Sequence, residues 1–166
     1  MTQLDIYYFS GDNRADEPVT VGSAAALDDV LVDILANPQP HPTVVYAKDR
    51  PTVGPMERPD HQVKFDVDPE RQVGAVHAFG PGDFAPDPSV NDVDETTAWI
   101  AQVKGFGGQT SASLFSDVTL YIDKDTRTEF TKGALLPLAV LRELLHEFMR
   151  TGKRPVCVDW EQTDVF

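Results

Sequence analysis

Apolar and polar residues alternate with a period of two along much of this chain, and in two stretches they take up the period of a helix. Leu4, Ile6 and Tyr8 alternate with Asp5, Tyr7 and Phe9, which predicts a strand with at least one apolar face. Gly11-Asp12-Asn13 marks a turn. Ser23 suits a helix N-cap, because its hydroxyl can accept from a free first-turn amide. Leu27, Val30, Leu31, Ile34 and Leu35 then form one apolar stripe, with Asp28, Asp29 and Asp33 on the outer face, until Asn37-Pro38 ends the helix. Thr43-Val44-Val45-Tyr46-Ala47 has the β-branched bias of a strand. Residues 48–59 contain Pro51, Gly54, Pro55 and Pro59 and read as a loop. Val63, Phe65 and Val67 alternate with Lys64 and Asp66, a strand with one wet face. A turn at Asp68-Pro69-Glu70 leads into a further strand over residues 72–79, so the two form an antiparallel hairpin.

Residues 96–103, with Trp99 and Ile100, predict another strand, as do Val118, Leu120 and Ile122, which alternate with Thr119 and Tyr121. Asp123-Lys124-Asp125 turns the chain, and Thr128-Glu129-Phe130 can pair back. The second helix starts at Pro137, whose missing amide hydrogen is not needed in a first turn. Its apolar face is Leu138, Leu141, Leu144, Leu145, Phe148 and Met149. Gly152 sits where a left-handed cap belongs, and Arg150, Lys153 and Arg154 complement the negative helix end. The last strand is expected over residues 155–160, with Val156, Val158 and Trp160 on one side and Cys157 on the other. Strands outnumber helices, in the order strand, helix, strands, helix, strand. The fold class is therefore α+β: one domain over residues 1–166, with a mostly antiparallel sheet and two main helices on one face.

One segment departs from this regularity. Residues 80–95 hold Pro81, Pro86 and Pro88 and five acids, Asp83, Asp87, Asp92, Asp94 and Glu95, with no base. Such a stretch is neither helix nor central strand, and a loop of that length usually has a function or lacks order. Two readings stand side by side. In one, Phe84 is an apolar anchor that the five acids surround, and with Trp99 they receive a partner. In the other, the acids are only solvated and Trp99 is buried in the sheet.

Charge sharpens the choice of partner. The 166 residues carry 27 acids and 14 Lys or Arg, a net charge of −13. Nucleic acid and anionic membranes are bound by clustered bases, so both are disfavoured as partners, whereas a basic protein would be steered in. The single cysteine allows no disulfide within the chain. Met1 to Phe9 shows no basic stretch followed by an apolar run, so no signal peptide is expected, and no stretch approaches the ~18 apolar residues of a membrane span. The expected compartment is the cytoplasm.

Catalytic patterns are sparse. The histidines are His41, His61, His77 and His146, none at metal-ligand spacing. His77 reads as a packed or edge residue and His146 as a surface one. Cys157 has no neighbour to lower its pKa and reads as a small buried hydrophobe. Ser111, Ser113 and Ser116 lack a nucleophile elbow, and Gly105-Phe106-Gly107-Gly108 lacks phosphate-loop spacing. No catalytic residue, cofactor or metal site is expected.

The last third carries a pattern of its own: Tyr121-Ile122-Asp123, then Glu129-Phe130, then a helix ending Glu147-Phe148-Met149-Arg150-Thr151-Gly152, then Lys153-Arg154-Pro155-Val156-Cys157-Val158-Asp159-Trp160. It resembles immunity protein family one of bacterial polymorphic toxin systems, most closely over residues 118–160. The resemblance implies a non-catalytic inhibitor of a cognate toxin, with nucleic-acid deaminases as frequent targets and nucleases as an alternative. It implies structural roles for Arg154, Pro155 and Trp160, with Arg154 as a helix-end cation, and leaves the toxin-contacting surface and the oligomeric state open. Two other readings remain: a small hydrolase with a site around His61 or His77 in the central Pro- and Gly-rich region, and an adaptor that binds some other basic protein.

Overall fold

A computed structural model describes residues 1–85, 95–105 and 117–166. Strand β1 (Leu4–Tyr7) pairs with β2 (Val19–Val21) on one side and β3 (Thr43–Ala47) on the other. Helix α1 (Ala24–Ala36) lies between β2 and β3 in the chain. Its cap is the expected one, with Ser23 Oγ accepting from the Ala26 amide at 3.2 Å. Leu27, Val30 and Ile34 are buried, and Leu31 and Leu35 are half-buried at the margins of the stripe.

The span over residues 48–59 is not merely a loop. It folds into a two-stranded ribbon, β4 (Thr52–Val53) against β5 (Arg58–Pro59), that stands apart from the main sheet. Strands β6 (Gln62–Asp68) and β7 (Val73–Gly80) form the expected hairpin, in register from Gln62↔Phe79 to Asp68↔Val73. β8 (Thr97–Gln102) adds to β7. β9 (Tyr121–Asp123) and β10 (Thr128–Glu129) make a separate hairpin. Of the strand expected around residues 118–122, only this short piece is paired, although Val118, Leu120 and Ile122 are all buried. β11 (Leu136–Pro137) touches β7 and runs into α2 (Leu138–Thr151). Pro137 is the N-cap rather than the first helical residue, and Gly152, at φ 66°, closes the helix in the left-handed conformation that Gly adopts without strain.

The final strand, β12 (Asp159–Thr163), lies further along the chain than the apolar alternation suggested. Val156 is 55% exposed while Val158 is buried, so the two do not share a buried side. Pairing explains the displacement. β12 lies at the edge of the sheet against β8, from Asp159↔Gln102 to Thr163↔Ala98, where one flank meets water and polar residues are tolerated.

Among the described residues the sheet has eight strands, ordered β12-β8-β7-β6-β3-β1-β2 with β11 attached to β7, and every pairing is antiparallel. Helices α1 and α2 pack on one face, where Leu4, Ile6, Val45, Val63, Phe65, Val76 and Trp99 meet Leu27, Ile34, Leu144, Leu145 and Phe148. The opposite face carries a smaller core. Val73 and Ala75 of β7 meet Val118, Leu120, Ile122, Phe130 and Leu135. Asp66, expected on a wet face, is 3% exposed beneath this cover. It accepts from the Tyr121 amide at 3.0 Å and pairs with Lys124 at 3.2 Å, which fastens the β9–β10 hairpin to the sheet. No helix among the described residues is long and apolar enough to cross a membrane.

Candidate functional site

The acidic segment begins as packed structure. Gly80 ends β7, and the Phe84 ring lies directly over it: a Cβ at Gly80 would come within 2.6 Å of that ring. The chain turns through a Phe84 N–H···O Pro81 bond of 3.0 Å, and the Phe84 carbonyl accepts from the Arg154 amide at 2.9 Å. Phe84, expected as an anchor presented to a partner, is instead fully buried among His61, Trp99 and Phe148. A large aromatic ring left in water forgoes burial worth roughly 1.5–3 kcal/mol, and here the core has room for it. Trp99 is likewise 4% exposed, as in the second of the two sequence readings. Asp83 remains at the surface, 59% exposed, and accepts from Arg50 at 3.0 Å. Glu95 is exposed at the far end. Asp87, Asp92 and Asp94 lie outside the described residues, as do Phe106, Gly107, Gly108, Ser111, Ser113 and Ser116.

The C-terminal pattern assembles around the same place. Arg154 is 8% exposed, and its guanidinium sits 4.5 Å from the Trp99 ring centroid and 5.7 Å from that of Trp160. It is thus a stacked, interior cation rather than a helix-end one, in the geometry that stabilises a guanidinium on indole faces. Trp160 Nε1–H donates to the Pro155 carbonyl at 2.7 Å, and Glu147 accepts from the Val156 amide. These contacts shape the bend between α2 and β12. Cys157 is half-buried. Burial, with the Glu147 and Glu143 carboxylates nearby, pushes its thiol up to about 12, so it stays protonated at neutral pH.

His61 and His77, the candidates for a hydrolytic site, are both committed to structure. His61 Nε2 accepts from the Ala47 amide at 2.9 Å, which leaves Nδ1–H to donate to Asp60 at 2.8 Å. Asp60 is held in turn by Arg50, through bonds of 3.1 and 2.8 Å. A base needs a free lone pair aimed at a substrate, and neither nitrogen of this ring offers one. His77 Nε2–H donates to the Val165 carbonyl at 2.7 Å, while its Nδ1 is buried with no partner among the described residues. Burial lowers the pKa of both rings; the bond to Asp60 opposes it at His61, and the bond to Val165 at His77. His146 is half-buried rather than superficial and lies 2.7 Å from Asp28. Bonds from Arg142 and then from His146 hold the Asp28 carboxyl down at about 2. Among the described residues no three His, Cys, Asp or Glu side chains gather as a metal ion would require.

Two of the concave surfaces among the described residues are lined largely by apolar side chains. The smaller, about 310 Å³, runs between α1 and α2 along Leu31, Leu35, Leu138 and Leu141, closed at one end by the Asp28–Arg142 pair. The larger, about 740 Å³, lies on the sheet face turned away from the helices. Tyr7, Val44, Tyr46 and Phe79 line it, and the β4–β5 ribbon walls it with Arg58 and Pro59. Tyr7 and Tyr46 meet edge-on with ring centroids 6.0 Å apart. The sequence reading overlooked this surface, although its signal was visible: Tyr7 and Tyr46 occupy the polar phase of two strands, where an aromatic residue is out of place unless something covers it or binds it.

No curated protein matches this chain. A family model does. It spans most of the chain and includes the central third, where the quoted C-terminal pattern does not reach. The model described as Immunity protein Imm1 matches residues 15–162, and the chain belongs to that family.

Proposed function

We propose that this protein is the dedicated inhibitor of a toxin that acts on nucleic acid, a deaminase or a nuclease. It binds the toxin stoichiometrically in the cytoplasm of the producing cell and covers the toxin's basic active-site cleft, without catalysing a reaction itself. The observation that carries this reading is the immunity-family match over residues 15–162. The net charge of −13 supports it, because enzymes that hold a polyanion present basic clefts that an acidic inhibitor complements. The acidic segment contributes Asp83, Asp87, Asp92, Asp94 and Glu95, while Phe84 and Trp99 form its packed base rather than its contact surface.

Co-expression is the test. Candidate deaminase and nuclease domains are expressed with and without this chain, and survival is scored. Rescue from one of them, with a one-to-one complex on gel filtration, is the expected result. Failure to rescue from any, together with capture of a non-toxin protein, overturns the reading in favour of an adaptor. Replacing the five acids by Asn or Gln should then slow association and flatten its dependence on ionic strength, since screening beyond a Debye length of ~8 Å removes steering. An unchanged on-rate and affinity removes the acidic segment from the interface.

A further inference from the structure

We propose that the cleft on the outer face of the sheet seats a loop of the toxin that presents a carboxylate beside an apolar side chain. The proposal rests on the immunity reading and names the surface and the chemistry through which it operates.

Composition singles out this cleft. Tyr7 and Tyr46 in its floor and Arg58 in its wall are of the kinds that dominate binding energy at protein interfaces, and the two tyrosines and Phe79 stand on strands of the main sheet. The ribbon that forms the wall carries Val53 and Met56, 55% and 73% exposed. Exposed large apolar side chains gathered on one element mark an interaction surface more often than a solvated one.

Charge identifies the occupant. In a chain with a net charge of −13, the lining of this cleft holds three bases, Lys48, Arg50 and Arg58, against one acid, Asp5. Arg58 is exposed and forms no ion pair among the described residues; its guanidinium reaches only the Met56 sulfur, at 3.8 Å. Lys48, at the rim, is paired loosely with Asp5 at 3.9 Å. Lys64 stands on the same face, half-buried and opposite Val44 in the register, also with no ion pair among the described residues. Burial lowers its pKa, and Asp123 opposes this only at longer range. Cations without an ion pair among the described residues, Arg58 in the cleft wall and Lys64 beside the lining residue Val44, gain most from a carboxylate brought to this face. A nucleic-acid strand would also suit cations and aromatic rings, but the net charge repels a polyanion, whereas one carboxylate on a basic toxin bears no such penalty. The acidic bulk speeds encounter, and the cleft fixes the final contact.

The probe is the toxin domain identified by co-expression rescue. Arg58→Glu and Lys64→Met should each weaken its binding by about tenfold or more, while Arg127→Glu leaves affinity within about twofold. Arg127 is exposed on the hairpin covering the other end of this face, and its substitution makes the same change in net charge as Arg58→Glu. A zero-length carbodiimide, which condenses an amine and a carboxylate into an amide, should join Lys48 or Lys64 to an Asp or Glu of the toxin. An unaltered melting temperature for Arg58→Glu shows that the fold is intact. The proposal is overturned if Arg58→Glu binds as the parent does, if Arg127→Glu weakens binding equally, or if coupling arises only from other lysines. It is also overturned if a labelled single-stranded oligonucleotide binds the parent chain and not Arg58→Glu. A parent chain that binds and protects while Arg58→Glu is unaffected refutes the cleft alone; a parent chain that neither binds nor protects refutes the immunity reading, and the cleft with it.

Discussion

The two faces of the sheet are built from the same strands and have opposite characters. On the helix face, Leu4, Val45, Val63, Phe65, Val76 and Trp99 run across the sheet without a polar break, sealed by α1 and α2. On the outer face, a short hairpin and a 3-10 turn (Lys132–Ala134) cover one end, and beyond them lie Tyr7, Tyr46 and Phe79 with Arg58 and Lys64, which form no ion pair among the described residues. The difference teaches where stability and function are separable. A face closed by whole helices has no spare area, and its side chains are constrained by packing. A face that the described residues close at one end leaves aromatic surface among them that the packing of the core does not use.

That contrast can be broken most sharply at Phe84. If it belongs to the sealed face, Phe84→Ala leaves a cavity among His61, Trp99 and Phe148 and costs about 3–5 kcal/mol. Urea denaturation measures it, and a loss below about 1 kcal/mol would return Phe84 to the surface. Asp66 tests the half-closed face. Asp66→Ala removes the acceptor for the Tyr121 amide and the partner of Lys124. It should cost about 2–3 kcal/mol and speed hydrogen exchange at Tyr121 before the strands of the helix face. Uniform acceleration would mean that the hairpin is not a separable cover.

The smallest effect concerns the two buried histidines, one on each face. Their folded-state pKa values lie below the ordinary 6.5, chiefly because burial disfavours the charged ring. Below that value the unfolded chain takes up protons that the folded chain refuses. Their contribution is therefore full above about pH 6.5 and is lost as pH falls through the folded-state values, by up to about 1.4 kcal/mol per pH unit for each ring. Denaturation curves at successive pH values should show this slope, and His77→Gln should reduce it by about half; a slope indifferent to that substitution would show that His77 does not titrate differently on unfolding.

Local chemistry was the part that could be read directly. Both helices, their caps at Ser23 and Gly152, and the β6–β7 hairpin follow from residues near one another in the chain, because a stripe, a cap or a turn is decided within a few positions. β12 was misplaced because Val156, Val158 and Trp160 alternate well, whereas the strand that forms is polar and owes its position to β8. Phe84 was misjudged for a related reason: its neighbours Asp83 and Asp87 are polar, and nothing nearby reveals that Gly80 leaves space for the ring. The acids of the segment were legible as composition, and Asp83 is indeed exposed, but its contact with Arg50 joins residues far apart in sequence.

The sequence by itself determined the element types, the acidic balance and, through its C-terminal pattern, the family. Each of these is set by residue identity at short spacing or by summation over the chain. Tertiary structure alone decided that Arg154 lies between Trp99 and Trp160, that His61 has both nitrogens engaged, and that Tyr7, Tyr46 and Arg58 share a cleft. The reason is physical. Strand order brings residues from opposite ends of the chain to within a few ångströms, and burial then turns those meetings into interactions that no local pattern encodes.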